Sequence, residues 1–375
     1  MSIYQQVLSF IREPRAQEFE ALALAVFRRQ FDTVPAYRAY CVMLGVSPAS
    51  VRSAAEAPAV STVAFKYAEL WPPAVAQEGR GRVFLTSGTT AGRERRGRHL
   101  VPELGIYRAS AMGHLRRMLF ADRPEIAVLS LHPTAQRMPE SSLGQMISWA
   151  IEEFATAGSC CVADRGGVDL DAARRFLRQA ERNGTAVCLM GTTAAFSALF
   201  EELRSRAERF SLSSGSRIMD TGGSKGQALP LSAEQMHAEA RNLLGIAEER
   251  VINEYGMTEL CSQLYDVTAL NRSGAAPARS TRSKACPPWM RPFVRDPVTL
   301  KPLAEGGVGL VSFFDLANVG SVAAVITEDL GFIENGLVSV LGRAQAADPR
   351  GCALGIAEFE RAGAAGMPSP SLAAR

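Results

Sequence analysis

The sequence predicts an α/β fold: mainly parallel sheets covered by helices, with a β-rich C-terminal part. Two observations predict it. Between residues 126 and 253, short apolar runs alternate with stretches of helical spacing, the pattern of a parallel sheet buried on both faces. From residue 308 onward, apolar runs follow one another without amphipathic helices between them. The 375 residues, 47% hydrophobic and 21% charged, suffice for one large domain or two.

Taken in order, residues 1–75 are expected to be largely helical, with Phe19, Leu22, Val26 and Phe27 on one apolar face between charges. The stretch 58–73 begins and ends with proline and closes that region. Val83, Phe84 and Leu85 read as a short buried strand. Strands are expected at 126–131, 159–163, 186–190, 217–219 and 251–253, and helices at 140–154, 169–182, 194–206 and 232–244. Each strand ends in polar or glycine-rich residues, where ligands collect in such folds. Residues 271–284 are rich in Ala, Ser and Arg, and prolines follow at 287, 288, 292, 297 and 302, so a loop and then an extended segment are expected. The β-rich part comprises runs at 308–314, 322–326 and 337–341. The Ala/Gly/Pro/Ser-rich tail from residue 363 carries too little apolar content to pack.

Composition narrows the function classes. A net charge of +3 is small for this length and argues against a general nucleic-acid binder. The seven cysteines are an odd count without Cys-x-x-Cys, so neither a zinc site nor a disulfide framework is expected, and a reducing cytoplasm fits best. No apolar run approaches ~18 residues, so stable membrane insertion is not expected.

The chemistry is concentrated in loops. Thr86-Ser87-Gly88-Thr89-Thr90-Ala91-Gly92 holds four hydroxyls and two glycines, and four arginines lie between Arg93 and Arg98. Bare N–H groups and hydroxyls in such a loop can surround a polyphosphate. A solvated linker has the same composition. The Walker spacing is absent, and no Gly-x-Gly-x-x-Gly follows a strand. Asp220-Thr221-Gly222-Gly223-Ser224-Lys225 follows one strand and offers flat backbone for a purine. Asn253-Glu254-Tyr255-Gly256-Met257-Thr258-Glu259 follows the next, with an aromatic, a flexible glycine, a hydroxyl and a carboxylate inside five residues. Thr327-Glu328-Asp329-Leu330 precedes a hairpin-like segment ending in Leu341-Gly342-Arg343. A carboxylate in a turn suits ribose hydroxyls, and an arginine suits phosphate.

In order and spacing these four segments resemble the adenylate-forming superfamily of acyl- and aryl-CoA ligases, and the fold expected is that of their large N-terminal domain. The resemblance implies that Thr86, Ser87, Gly88, Thr89 and Thr90 hold the phosphates of ATP. It implies that Gly222, Gly223, Tyr255 and Gly256 meet adenine, that Thr258 meets phosphate, and that Glu259 meets Mg²⁺. Asp329 would bind ribose, and Arg343 would approach phosphate or ribose.

A narrower resemblance, to the acyl-protein synthetases of LuxE type, rests on His132-Pro133, on Pro139-Glu140-Ser141-Ser142-Leu143, on the Thr-Gly-Gly-x-Lys segment and on Arg350-Gly351-Cys352. It implies a large domain over 1–342, made of a helical start (1–75), an α/β core (76–270) and a β-rich part (287–342). A truncated C-terminal segment, 343–375, would follow. It also implies that a fatty acid is activated as acyl-adenylate and loaded on Cys352, for delivery to a partner acyl reductase. Lys225 and Arg343 would supply catalytic charge, and His132 and Met257 would border the acyl substrate.

Arg343 and Arg350 are close in sequence to Cys352 and would favour its thiolate. A buried structural cysteine is the plain alternative, and Cys261 is a rival nucleophile, with Cys286 a weaker one. Two departures from the family pattern stand out: Ala91 replaces a loop glycine, and no lysine follows Lys301. Two other functions therefore stay open. One is a ligase passing acyl groups to coenzyme A or a carrier-protein thiol. The other is a non-catalytic nucleotide- or acyl-binding partner of a reductase. His99 is expected to end the arginine-rich loop structurally, and His114 and His237 to lie on helix surfaces.

Overall fold

The chain opens with helices α1 (Ile3–Arg12), α2 (Phe19–Thr33) and α3 (Pro35–Met43). Ser2 and Gln5 start α1 as a reciprocal capping box, which satisfies two N–H groups with no partner inside the helix. Phe19, Leu22, Ala23, Val26 and Phe27 form the buried stripe of α2, as their spacing predicts. This computed structural model describes residues 1–86, 96–222, 231–268 and 283–344. The segment beginning at Pro58 holds strand β1 (Val60–Ser61), a 3₁₀ turn over Thr62–Lys66 and helix α4 (Pro73–Gln77).

Strands β2 (Arg82–Leu85) and β3 (Arg98–Val101) pair as a separate two-stranded ribbon. The expectation of a wholly buried strand here needs correction. Phe84 is buried but Val83 is 40% exposed, because successive side chains leave opposite faces of a ribbon covered on one side.

The α/β core follows: α5 (Leu104–Leu119), β4 (Ala127–Ser130), α6 (Ser142–Phe154), β5 (Cys160–Cys161), β6 (Ala163–Asp164), β7 (Gly167–Val168) and α7 (Leu170–Arg182). It continues with β8 (Val187–Thr192), α8 (Thr193–Ser205), β9 (Arg217–Thr221), α9 (Ala233–Leu244) and β10 (Val251–Tyr255). The single strand expected over 159–163 is two short pieces, and β6 pairs with β7 away from the main sheet. The C-terminal part contains β11 (Leu264–Asp266), β12 (Lys284–Ala285), β13 (Met290–Arg295), β14 (Gly309–Asp315), β15 (Ala324–Glu334) and β16 (Leu337–Arg343).

Among the described residues, one sheet takes in twelve of these strands. Its order is β13-β14-β15-β16-β12-β11-β10-β9-β8-β4-β5, and β1 pairs in parallel with β15 off this path. Neighbours from β5 to β10 run parallel, and from β10 to β13 every pairing is antiparallel. Side-chain alternation sorts the parallel half into two cores. Val128, Cys188, Met190, Met219 and Ile252 join the core that includes Met112 and Leu115 of α5 and Met146 and Ile147 of α6. Ala127, Leu129, Val187, Leu189, Ile218 and Val251 join a second core with Leu177 of α7, Leu199 of α8 and Leu243 of α9. The sheet is thus covered on both faces, as expected for parallel strands joined by helices. No helix among the described residues is long and apolar enough to cross a membrane.

Candidate active site

Strand β9 ends at Thr221 and is followed by Gly222, whose α-carbon is open: a Cβ there would meet nothing within 4 Å. The parallel neighbour β10 ends at Tyr255. The Tyr255 hydroxyl donates to Asp329 Oδ2 at 2.7 Å, across 74 residues of sequence. Burial, and then the neighbouring Asp329 carboxylate, push the Tyr255 phenol well above its usual pKa, so it keeps the proton it donates. Asp329 lies within β15 rather than in the expected turn, directly opposite Arg343 of β16 and next to a register shift between Leu330 and Gly331. Arg343 pairs loosely with Glu328, at 3.6 Å, and its side chain is 60% exposed.

The turn after β10 is fixed by its backbone. Buried His99 of β3 carries its proton on Nδ1 and donates to the Thr258 carbonyl at 2.7 Å, leaving Nε2 to accept from the Ser321 hydroxyl at 2.7 Å. Burial lowers the His99 pKa to about 4, which keeps the ring neutral. The Thr258 hydroxyl lies 3.5 Å from that of Ser142, and Leu85 N–H donates to the carbonyl of Glu140. Phe84 stands opposite His99 in the β2–β3 ribbon, so Thr86, two residues on, leaves the ribbon on the side of Thr258 and Ser142. The Thr86 hydroxyl itself accepts from Gly97 N–H at 2.9 Å, and its carbonyl accepts from Arg96 at 2.6 Å. Thr86 therefore closes the neck of the hydroxyl-rich loop.

Glu259 is 7% exposed, and its carbonyl accepts from the Asn318 side chain. No group of three His, Cys, Asp or Glu among the described residues could hold a metal. One carboxylate fits Mg²⁺, which is usually held by one or two carboxylates together with phosphate oxygens and water. Next to it, Cys261 N–H donates to both Asp315 and Asn318. Burial, and then Asp315, hold the Cys261 thiol well above its usual pKa.

On the α9 side of the sheet, a polar row crosses four strands. Asn253 Nδ2 donates to Asp220 Oδ2 at 2.9 Å, and Lys284 Nζ donates to Asn253 Oδ1 at 2.7 Å and to Asp266 Oδ1 at 2.6 Å. The opposite face carries Glu254, 4% exposed, whose carboxyl is hydrogen-bonded by the Thr221 hydroxyl. Burial pushes its pKa up to about 7. A Cβ on Gly256 would stand 2.2 Å from Glu254 Oε1, so this position requires glycine for space.

His132 is half-buried at the end of β4. Its Nδ1 donates to the carbonyl of Pro133 at 2.9 Å, and burial lowers its pKa. Met257 packs at the edge of the larger core. The expected surface position of His114 is wrong. It is 4% exposed, packs against Tyr265 and Trp289, and donates from Nε2 to the carbonyl of Ala285 at 3.2 Å. His237 is helical but its side chain is only 16% exposed, and it pairs with Glu248 at 3.1 Å. Ser87, Gly88, Thr89, Thr90, Ala91, Gly223, Lys225, Arg350 and Cys352 lie outside the described residues, as do the 271–282 loop and the tail. Sequence reasoning missed His99, Ser142 and Glu254 as members of the site. The partners of His99 lie 159 and 222 residues away, so no local signal marks it.

A family model described as "Acyl-protein synthetase, LuxE" matches residues 4–359. A "Long-chain-fatty-acid--luciferin-component ligase" of Aliivibrio fischeri is 34% identical over 83 residues, 20% of this chain and 22% of that protein. Its namesake from Vibrio harveyi is 24% identical over 200 residues, 51% of this chain and 50% of that one. The matches thus span half or less of these curated relatives. Among solved structures, a 2-hydroxyisobutyryl-CoA ligase in an open conformation with 2-HIB-AMP and CoA has a TM-score of 0.62 at 16% identity, covering 88% of this chain and 71% of that one. The same ligase in its thioesterification state gives 0.61 at 17% identity, over 89% and 70%. At such identities the likeness is one of fold.

Proposed function

The chain belongs to the LuxE acyl-protein synthetase family, and on that footing we propose that it is an ATP-dependent ligase that activates a fatty acid as acyl-adenylate and loads the acyl group onto its own Cys352. The observation that carries this reading is the 2.7 Å hydrogen bond from Tyr255 to Asp329, which joins a strand-end aromatic to a carboxylate from the far half of the sheet. It leaves the other carboxylate oxygen for ribose hydroxyls. Adenine would lie between the Gly222-Gly223 backbone and Tyr255. Thr258 and the Ser87–Thr90 hydroxyls would meet the phosphates. Glu259 would hold Mg²⁺ together with phosphate oxygens, and the ion would neutralise phosphoryl charge.

In the first step a carboxylate oxygen of the acid bonds to the α-phosphorus of ATP, the bond to the bridging oxygen breaks, and pyrophosphate leaves. Holding the two reactants in line and setting cations beside the phosphoryl oxygens lowers the barrier. Lys225 and Arg343 would take the charge role. In the second step the Cys352 thiolate attacks the acyl carbonyl and AMP leaves. Cys261 is buried and Cys286 half-buried, and desolvation pushes both thiol pKa values up, which supports Cys352 as the acceptor. His132 and Met257 would border the acid. The segment from residue 343 would present the thioester to an acyl reductase, and the acid could also arrive from a carrier protein.

The test is incubation with ATP, Mg²⁺ and labelled fatty acids, then denaturation. A hydroxylamine-sensitive label is expected on the native chain and not on Cys352→Ala. A label that survives the substitution would reject self-loading. Product that forms only with added coenzyme A or carrier thiol would assign the chain to external transfer instead.

A further inference from the structure

The backbone around Glu259 is held by one buried side chain from the segment between β14 and β15. Asn318 ends a 3₁₀ turn over Leu316–Asn318 and is 1% exposed. Its Nδ2 donates to the Glu259 carbonyl at 2.8 Å and to the Val322 carbonyl at 3.1 Å, and its Oδ1 accepts from Cys261 N–H at 2.9 Å. The main chain is thus pinned on both sides of Leu260. Two donors and an acceptor on one short planar group describe an amide. A carboxylate here would set its oxygens against two carbonyls, and an aliphatic side chain would leave buried polar groups unpaired.

Asn318 is in turn held from outside the site. Gln30 of α2, also 1% exposed, donates to the Asn318 carbonyl at 3.0 Å and accepts from Ala323 N–H at 3.0 Å. At the start of the segment, Asp315 accepts from Ala317 N–H at 2.9 Å, from Cys261 N–H at 3.1 Å and from the Ser262 hydroxyl at 2.7 Å. A Cβ on Gly320 would stand 2.5 Å from Pro102 Cδ, so the segment is packed hard against the exit of β3. The grip on Glu259 falls on its main chain, so it fixes where the residue stands without occupying its carboxylate.

We infer that Asn318 is a positioning residue for the proposed Mg²⁺ ligand: it holds the Glu259 main chain so that the carboxylate is presented in one place. This rests on the adenylation reading, which supplies the ion. Mg²⁺ demands near-ideal octahedral geometry, so a carboxylate on a released backbone binds it less well. Groups that orient a metal ligand from behind are worth about tenfold or more in metal affinity.

The experiment is calorimetry of the full chain with an ATP analogue whose α,β-bridge is a methylene, in Mg²⁺ and in EDTA. The native protein should bind more tightly in Mg²⁺. Asn318→Ala and Asn318→Asp should each bind about tenfold more weakly than native in Mg²⁺, and within about twofold of native in EDTA. A general structural defect would weaken both equally. In fatty-acid-dependent ATP–pyrophosphate exchange, the same variants should need about tenfold more Mg²⁺ for half-maximal rate, with the KM for the acid within about twofold of native. Gln30→Met, remote from the site, carries the test if neither Asn318 variant folds. It should weaken binding in Mg²⁺ by about twofold to fivefold and leave binding in EDTA unchanged. Equal weakening with and without Mg²⁺, or native affinity in Mg²⁺ from the folded variants, overturns the inference. So does a native protein that binds the analogue equally well in Mg²⁺ and EDTA. A native chain that neither binds the analogue nor exchanges with any acid brings down the adenylation reading, and the inference with it. Native exchange beside variants with an unshifted Mg²⁺ requirement ends the inference alone.

Discussion

The two halves of the central sheet are built differently, and the candidate site lies where they meet. The parallel half, β5 to β10, is apolar on both faces until its last two strands. The antiparallel half packs the N-terminal helices, as where Gln30 of α2 donates to the carbonyl of Asn318. Along the seam the composition changes to Asp220, Asn253, Asp266 and Lys284 on one face and Glu254 on the other. Parallel strands deliver loops from their carboxyl ends, Gly222 and the Tyr255–Glu259 turn. Antiparallel strands deliver side chains instead, Asp329 from the middle of β15 and Arg343 from the last position of β16. A site needing both a loop that wraps a ligand and a fixed carboxylate is served by joining the two designs.

The largest effect should come from breaking the seam. Lys284→Met removes one partner of a buried ion pair and should destabilise the fold by about 3–5 kcal/mol in denaturant titration. The next comes from the histidines that stitch the halves together, His99 to Thr258 and Ser321, and His114 to Ala285. Burial lowers both pKa values to about 4 from 6.5, so the unfolded chain takes up protons first. Stability is therefore full above 6.5 and falls as the pH drops from there towards 4, by up to roughly 3 kcal/mol for each ring. Urea unfolding of His114→Phe between pH 4 and 7 should show a slope shallower by one proton.

Legibility in the sequence followed the same division. Strands β4, β8, β9 and β10 were readable because a strand buried on both faces is a short, nearly unbroken apolar run. Helix α7 was readable because Ala173, Leu177 and Ala180 recur at helical spacing among charges. Helix α5 was legible as a helical stretch around His114, but its buried face was not, because Ser110 and His114 are buried beside Met112 and Leu115, which blurs any polar face. Strand β15 runs on through Thr327, Glu328 and Asp329, which look like a turn in sequence, because pairing with β16 overrides their low strand propensity. The motif residues of the site were legible. The Tyr255–Asp329 contact and the bracket made by His99 were not, since both are tertiary.

A double-mutant cycle sharpens the comparison across the seam. Tyr255→Phe and Asp329→Asn should each raise the KM for ATP about tenfold, and the double variant no further, a coupling of about 1.4 kcal/mol, because the same hydrogen bond is removed only once. The smallest effect on stability belongs to Arg343→Ala. Its exposed pair with Glu328 should contribute less than about 1 kcal/mol to unfolding, while exchange activity falls if the guanidinium meets phosphate.

The most direct measurement is fatty-acid-dependent ATP–pyrophosphate exchange by the native chain and by Asp329→Ala, across a panel of chain lengths. Exchange that requires the acid, with kcat/KM for ATP at least tenfold lower in a folded Asp329→Ala protein, is the predicted result. A folded native chain that exchanges with no acid in the panel, or an Asp329→Ala variant as active as the native protein, would contradict the account.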